Sequence, residues 1–147
     1  MRIALGSDHA GFQLKETIRK WLEGKGHDVV DKGAYDEGSC DYPDFGRAVG
    51  VEVTGGDADR GIVVCGSGIG ISIAANKVRG VRAALCSDIY SARMSREHND
   101  ANVLALGQRV IGAALAVEIA DVWLNTAFEG GRHQGRLDKI TRIEAEG

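Results

Sequence analysis

The chain of 147 residues lacks most features that mark specialised classes of protein. No apolar run approaches the roughly 20 residues that a helix needs to cross a bilayer, and the N-terminal segment lacks the apolar core of a signal peptide. Its three cysteines include no CxxC pair, which argues against both a disulfide framework and a zinc site. A net charge of -3 argues against a general nucleic-acid binder. We therefore expect a cytoplasmic protein with no membrane and no nucleic-acid partner.

What the sequence does contain is a regular alternation of short apolar strands and amphipathic segments. There is no internal repeat and no linker, so we expect one domain spanning 1–147. Five strand-helix alternations predict an α/β fold, a Rossmann-like three-layer sandwich with a five-stranded parallel sheet. The predicted strands cover 2–6, 28–31, 61–65, 81–86 and 103–106. A last stripe of Leu137, Ile140 and Ile143 predicts a C-terminal helical tail that packs on another subunit or on its own domain.

The stretch from Gly61 to Lys77 carries the strongest functional signal. A buried strand ends at Cys65, and the glycine-rich turn that follows opens an Ala- and Ile-rich helix. Unpaired backbone amides and the positive end of the helix dipole make such a turn an anion site. A pure phosphate cradle needs neither a thiol nor the hydroxyl of Ser67, so both groups indicate catalysis. The turn should favour the Cys65 thiolate, a form that can act as general base on a C–H bond.

The spacing of the glycines in this turn differs from the nucleotide-binding fingerprints. The third glycine of GxGxxG would fall at Ile71, and the turn does not match GxxxxGK[ST]. Asp88 nevertheless follows at about the distance of a ribose-binding acid. A non-catalytic nucleotide-binding module, with Cys65 as a core residue, therefore stays open as an alternative. We interpret Cys86 as a core residue and assign no role to Cys40.

Other polar side chains also follow predicted strands. Asp8 and His9 come after the first strand, Asp88 after the fourth and Arg109 after the fifth. Because the carboxyl ends of parallel strands share one edge of a sheet, these groups are expected to converge.

Two further groups of polar residues lie in the second half of the chain. The placement of His98 beside Asn99 favours a role in the site, whereas His133 is less distinctive. Arg132 and Arg136 lie four positions apart between glycines. This spacing suits either a bidentate phosphate clamp or a solvated helix face.

Motifs along the whole chain make it similar to the ribose-5-phosphate isomerase type B family, which galactose-6-phosphate isomerase subunits share. The matching motifs are Gly6-Ser-Asp8-His9-Ala-Gly11, Asp41-Tyr42-Pro43, Cys65-Gly-Ser-Gly-Ile-Gly70, Ala74-Ala-Asn-Lys77, Ser95-Arg-Glu-His98-Asn99, Asn102-Val-Leu-Ala-Leu-Gly107 and Gly130-Gly-Arg132-His-Gln-Gly-Arg136. The chain resembles the members that use cysteine, because it has Cys65 and carries Ile71 where other members place a glutamate. Ser67 stands where many relatives have threonine, so the hydroxyl is kept.

The resemblance implies an aldose–ketose isomerase that interconverts ribose 5-phosphate and ribulose 5-phosphate through a cis-enediolate. This reaction belongs to the non-oxidative branch of the pentose phosphate pathway. Cys65 would move the proton between C2 and C1, Ser67 and the turn amides would hold the enediolate oxygen, and His98, helped by Asp8, would open the furanose ring. The implied substrate-binding residues are His9, Tyr42, Gly66, Gly68, Ile69, Gly70, Asn99, Arg109, Arg132 and Arg136.

The resemblance also implies how the site is assembled. The phosphate would be taken by His9 and three arginines, and the sugar by Tyr42 and Asn99. The protein would be a homodimer with sites shared between subunits, or a dimer of dimers, in which His98, Asn99 and Arg109 come from the partner. No metal and no organic cofactor is expected. A six-carbon substrate such as allose 6-phosphate stays open, because a motif does not give the length of the sugar pocket.

Overall fold

The computed structural model describes residues 1–147. Its strands are β1 (Arg2–Ser7), β2 (Asp28–Asp31), β3 (Arg60–Cys65), β4 (Ala83–Leu85) and β5 (Val103–Gly107). A short 3-10 turn (His9–Gly11) precedes the helices α1 (Phe12–Gly24), α2 (Tyr42–Thr54), α3 (Ile69–Asn76), α4 (Ile89–Glu97), α5 (Ala113–Asn125) and α6 (Arg132–Glu146). The predicted layered α/β fold with a C-terminal helix is confirmed. No helix is both long and apolar enough to cross a membrane.

All neighbouring strands pair in parallel, and their order across the sheet is β2-β1-β3-β5-β4. From β1 the chain moves outward to β2 and then returns to place β3 on the other side of β1. Sheets of this kind bind ligands where the direction of winding reverses, beyond the carboxyl ends of the two central strands. Asp8 follows β1 and Cys65 ends β3, so both residues flank this switch point.

Alternate side chains of the strands enter two separate cores. Ile3, Ile62 and Leu104 pack with α1, α4 and α5 on one face of the sheet. Val63 and Cys65 pack with α2 and α3 on the other face. Because successive strand residues point to opposite faces, the register of β3 places the Cys65 thiol on the side of α3.

Strand β4 (Ala83–Leu85) is shorter than the predicted 81–86, and before its first residue a side chain takes part in the pairing. Asn102 Oδ1 accepts a hydrogen bond from the Arg82 amide at 2.8 Å, and Asn102 Nδ2 donates to the Gly80 carbonyl at 2.9 Å. The Gly80 carbonyl and the Arg82 amide are therefore paired with a side chain, whereas the Arg82 carbonyl accepts from the backbone amides of Asn102 and Val103. Asn102 belongs to one of the matching sequence motifs, and its role here is structural.

Helix α6 has few neighbours within its own chain. It buries only His133 and Leu137, and Ile140 and Ile143 remain 46% and 70% exposed. Near its end, the Glu144 carboxylate accepts a hydrogen bond from the Gly80 amide at 2.8 Å. Residues of the same chain therefore leave most of the predicted apolar stripe on α6 exposed.

Candidate active site

A cleft of about 600 Å³ opens at the carboxyl ends of β1 and β3. It is lined by Asp8, His9, Ala10, Tyr42, Cys65, Gly66, Ser67, Ile69, Gly70, Arg109 and Val110. All of these except Ala10 and Val110 are site residues predicted from the sequence. Gly68 belongs to the same turn but is buried and does not line the cleft.

The turn between β3 and α3 surrounds the Cys65 sulfur. Cys65 is 5% exposed, and its Sγ accepts a hydrogen bond from the Gly68 amide at 3.1 Å. Gly68 has a φ of 78°, and a Cβ there would lie 2.9 Å from the Leu106 carbonyl carbon, so only glycine fits. The amide and the N-terminus of α3 both stabilise negative charge on the sulfur. The turn therefore places the Cys65 sulfur against a backbone N–H donor at the start of α3.

The same turn offers donors for a second negative charge. The Ser67 side chain is exposed, and its Oγ accepts a hydrogen bond from the Ile69 amide at 3.1 Å. Since this oxygen acts as an acceptor, the hydroxyl hydrogen is left to donate to a bound oxyanion. The Gly70 amide lies in the first turn of α3, where amides have no carbonyl partner within the helix. The turn can therefore hold an anion beside the thiol.

Tyr42 packs over this turn from the start of α2. A Cβ on Gly70 would lie 2.6 Å from the Tyr42 ring, so any larger residue at this position would displace the ring. Pro43 follows in the first turn of α2, as predicted, where its missing amide hydrogen costs nothing. Tyr42 is 41% exposed and lines the cleft, where it can contact a sugar.

Asp8 and His9 form the opposite wall of the cleft. Asp8 is buried, and its Oδ1 caps the 3-10 turn by accepting a hydrogen bond from the Gly11 amide at 3.0 Å. The Cys40 amide donates to His9 Nδ1 at 3.2 Å. The Cys40 carbonyl oxygen lies 3.2 Å from the same Nδ1, so the Cys40 backbone holds the ring with Nε2 as its second polar atom. No sequence pattern pointed to Cys40, which holds His9 through its backbone.

Arg109 is held against the turn by the loop that follows β5. The Gln108 amide donates to the Cys65 carbonyl at 3.0 Å, and the Arg109 amide donates to the Gly66 carbonyl at 2.9 Å. The Gln108 side chain also accepts a hydrogen bond from the Leu14 amide at 2.9 Å, which ties this loop to α1. Arg109 therefore lines the cleft of its own chain, whereas the resemblance implied that the partner supplies it.

The structure keeps the remaining predicted site residues out of this cleft. His98 lies at the end of α4, where its ring stacks on that of His133 with centroids 4.3 Å apart. Arg132 and Arg136 lie exposed on the first two turns of α6. Asn99 lines a separate groove of about 720 Å³ beside the later turns of α6. These residues form a second group, built around α4 and α6.

Two further residues were interpreted from the sequence: Cys86 as a core residue, and Asp88 as the acid on which the nucleotide-binding alternative depends. Burial raises the pKa of the Cys86 thiol to about 11, so this cysteine stays protonated in the core. Asp88 Oδ1 accepts a hydrogen bond from the Ser91 amide at 2.6 Å, and its Oδ2 accepts one from the Ser91 hydroxyl at 2.8 Å. These bonds hold the pKa of Asp88 below its ordinary value and make it the cap of α4. Because the cap engages both oxygens, Asp88 is poorly placed to bind a ribose.

The fold and the cleft define an α/β protein that holds an anionic substrate beside a thiol at the switch point of a parallel sheet. Comparison with known proteins makes this class specific. The family described as Ribose/Galactose Isomerase matches residues 3–140. This match covers both the cleft and the second group of residues.

Individual relatives agree over nearly the full length of the chain. Ribose-5-phosphate isomerase B of Escherichia coli is 52% identical over 97% of this chain and 96% of its own. D-erythrulose-4-phosphate isomerase of Pectobacterium atrosepticum is 45% identical over 98% of this chain and 95% of its own. The solved structure of Clostridium thermocellum ribose-5-phosphate isomerase B has a TM-score of 0.99 at 56% identity, covering 99% of both chains. The chain therefore belongs to the ribose-5-phosphate isomerase type B family of aldose–ketose isomerases, as its motifs predicted.

Proposed function

We propose that this protein interconverts ribose 5-phosphate and ribulose 5-phosphate, with Cys65 as the group that moves the proton. The observation that carries this proposal is the Cys65 sulfur, which lines the cleft and accepts a hydrogen bond from the amide of Gly68, the N-cap residue of α3. Aldose–ketose isomerisation needs one base that reaches both C1 and C2, and donors that stabilise the enediolate between them. The turn from Cys65 to Gly70 supplies both. The names of the relatives support a pentose phosphate as substrate.

The proposed reaction is a proton transfer through an enediolate. The Cys65 thiolate removes the proton on C2 of the open-chain aldose, and the electrons of that C–H bond move toward C1. The C1 oxygen takes the negative charge, which Ser67 and the amides of the turn stabilise. A proton passes from the C2 oxygen to the C1 oxygen, and the Cys65 thiol returns its proton to C1. The product is the 2-ketose, and Cys65 is again a thiolate.

The other predicted residues bind the ends of the substrate. We assign the phosphate to His9, Arg109, Arg132 and Arg136, because guanidinium groups and an imidazole N–H donate to phosphate oxygens. Tyr42 and Asn99 contact the sugar hydroxyls, while His98, helped by Asp8, opens the furanose ring. Gly66, Gly68, Ile69 and Gly70 supply the backbone of the oxyanion site. This chemistry uses protein groups alone and requires no metal or organic cofactor.

We further infer that two copies of the chain complete each site. His98, Asn99, Arg132 and Arg136 lie outside the cleft of their own chain. Ile69 and Ile73 on α3 are 53% and 56% exposed beside the cleft, and α6 leaves its own apolar stripe uncovered. A homodimer would cover these surfaces and bring the second group of residues to the cleft of the partner. The assembly is such a dimer or a dimer of dimers.

The pathway and compartment follow from the substrate and the thiols. All three cysteines are unpaired, as expected in the reducing cytoplasm. There the enzyme would serve the non-oxidative branch of the pentose phosphate pathway. A relative named for a four-carbon sugar phosphate is 45% identical to this chain, so the number of carbons in the substrate varies among close relatives. A six-carbon phosphate such as allose 6-phosphate is the alternative substrate, and a nucleotide-binding module is disfavoured by the cap role of Asp88.

The first experiment compares turnover of ribose 5-phosphate and allose 6-phosphate by purified, metal-stripped protein. We expect conversion of the pentose, with a higher kcat/KM than for the hexose, and no requirement for added metal. Activity on allose 6-phosphate alone would keep the mechanism and change the substrate. Absence of turnover with both compounds, combined with calorimetric binding of ATP or NAD, would replace the isomerase by a nucleotide-binding module.

The phosphate assignment predicts a specific effect of Arg136→Ala. Loss of a charge-assisted hydrogen bond costs about 1.5–3 kcal/mol, so KM for ribose 5-phosphate should rise roughly 10- to 100-fold with a smaller change in kcat. Steady-state kinetics measure both constants. Arg142→Ala removes an exposed arginine farther along the same helix and should leave KM unchanged. An unchanged KM in Arg136→Ala would remove this residue from the phosphate site.

A further inference from the structure

His133, which has no role in the proposed reaction, covers one face of the His98 ring. It is 4% exposed, and the two rings are stacked with centroids 4.3 Å apart and planes 16° from parallel. At the edge of the His133 ring, Glu129 Oε2 lies 3.3 Å from Nε2, an ion-pair contact without hydrogen-bond geometry. The Glu129 amide in turn donates to the Glu97 carbonyl at 3.1 Å, next to His98 in the chain. The three side chains therefore form one cluster, which is closed by a backbone hydrogen bond.

The stack is the contact that orients the His98 imidazole. His98 lies at the C-cap of α4, where its amide bonds to the Met94 carbonyl at 2.9 Å and its half-exposed ring extends beyond the helix. Rotation of the ring out of its plane would carry it into the buried ring of His133. Movement of His133 is opposed in turn by its burial and by the Glu129 carboxylate. The edge of the His98 ring, with its two nitrogens, is therefore held in one direction.

The same three side chains bring two imidazoles and a carboxylate within 4.8 Å of one another, a donor set also found in zinc sites. A ligating imidazole holds the ion in the plane of its ring. Two rings that are stacked nearly parallel cannot both do this for one ion unless one of them turns. The geometry favours an orienting role over a metal site.

We propose that His133, backed by Glu129, is a positioning residue for the ring-opening step of the isomerase. The proposal rests on the proposed function, in which His98 opens the furanose ring of ribose 5-phosphate. Proton transfer to and from a sugar oxygen requires an aligned donor and acceptor, and a misplaced group loses much of its effect. His133 acts through His98 without touching the substrate. It should therefore matter for ring opening and not for proton transfer at carbon.

The two steps can be measured separately because ribulose 5-phosphate has no furanose form. Its C5 oxygen carries the phosphate, so no hydroxyl is placed to close a five-membered ring on the C2 carbonyl. Exchange of its C1 hydrogen with deuterium in D2O reports the Cys65 step alone. Turnover of ribose 5-phosphate, which binds as a furanose, requires both steps.

The test compares three variants in these two assays after circular dichroism has shown that they are folded. In His133→Asn, ribose 5-phosphate turnover should fall roughly 10- to 100-fold, because the stacking ring is lost, while C1 exchange should stay close to wild type. His133→Phe keeps a flat ring and should recover much of that turnover. Glu129→Gln keeps the histidine but weakens its support, so it should give a smaller loss with the same pattern. Glu129→Gln also serves if His133→Asn fails to fold.

Several outcomes would overturn the proposal. A parallel loss in both assays would mean that His133 supports the fold or the whole site. An unchanged turnover in His133→Asn, or a His133→Phe variant as impaired as His133→Asn, would show that the stack does not orient His98. Failure of the proposed function would look different, because the wild-type protein would then show neither ribose 5-phosphate turnover nor C1 exchange.

Discussion

Cys65→Ala should lower kcat for ribose 5-phosphate by about 100- to 10,000-fold, the usual contribution of a general acid–base group, while substrate binding stays near wild type. The substitution removes the one group in the cleft assigned to carry the proton between C2 and C1. The proposed phosphate and sugar contacts belong to other residues, so they should remain. A fall in kcat with little change in the dissociation constant is the pattern of a group that acts mainly in the transition state.

Three measurements on Cys65→Ala check this expectation. Steady-state kinetics give kcat, calorimetry gives the dissociation constant for ribose 5-phosphate, and deuterium exchange at C1 of ribulose 5-phosphate reports the proton transfer directly. Exchange should be lost together with turnover. This distinguishes Cys65 from His98 and His133, whose removal should spare exchange.

Two control variants test whether the loss of turnover comes from the thiol of Cys65 itself. Cys86→Ala also removes a buried thiol, but from the other face of the sheet, and should retain turnover. Cys65→Ser keeps an acceptor for the Gly68 amide but replaces the thiol by a far less acidic hydroxyl, so it should remain impaired. Retained turnover in Cys65→Ala would exclude this residue as the base. Equal losses in Cys65→Ala and Cys86→Ala would indicate a general effect on the fold.

The part of the cleft whose placement follows from the sequence is local in the chain. A strand, a glycine turn and a helix follow one another between Gly61 and Asn76, so the position of the Cys65 thiol beside a helix N-terminus follows from adjacent residues. The same holds for Asp8 and His9 directly after β1. Because both strands are parallel and central, their carboxyl ends meet at one edge, and the cleft forms there.

The parts that sequence did not predict depend on contacts between distant residues. His9 is held by Cys40, which lies 31 positions away in a loop without regular structure. His133 looked undistinguished because its significance comes from the ring of His98, which α4 and α6 bring beside it. Spacing patterns report which residues share a face of one element. They carry no information on which elements become neighbours.

The position of Arg109 shows how strand order decides a site. The sequence predicts five parallel strands but does not say that β5 lies next to β3, with β4 at the edge. This order brings the loop after β5 onto the turn after β3, where the Arg109 amide bonds to the Gly66 carbonyl. Arg109 therefore lines its own cleft. His98 and Asn99 follow α4, and no such contact brings them there.

The proposed division of the site between two chains predicts that two impaired variants restore each other. In a two-fold dimer with shared sites, each cleft uses Cys65 of one chain and His98 of the other. A heterodimer of Cys65→Ala and His98→Ala then has both lesions in one cleft and none in the other. Random exchange of subunits makes about half of the dimers mixed, so ribose 5-phosphate turnover should return to roughly a quarter of the wild-type level.

The experiment refolds the two variants together from denaturant and compares them with each variant refolded alone. Differently tagged copies allow the mixed dimers to be purified, and their turnover is then about half that of the wild type, because one of two symmetric clefts is intact. The matched control pairs Cys65→Ala with Asp8→Ala. Both of these residues line the cleft of the same chain, so every mixed dimer keeps one lesion in each cleft and should gain nothing.

The comparison of the two pairings decides whether the site is shared. Recovery with His98→Ala but not with Asp8→Ala requires that His98 serve the cleft of the partner. Only then do both substitutions fall in one cleft and leave the other cleft intact. Verified mixed dimers without recovery in either pairing would mean that His98 serves its own chain, through a movement of α4 and α6 toward the cleft. Recovery in both pairings would contradict the assignment of Asp8 and Cys65 to one cleft, which the structure places on neighbouring strands.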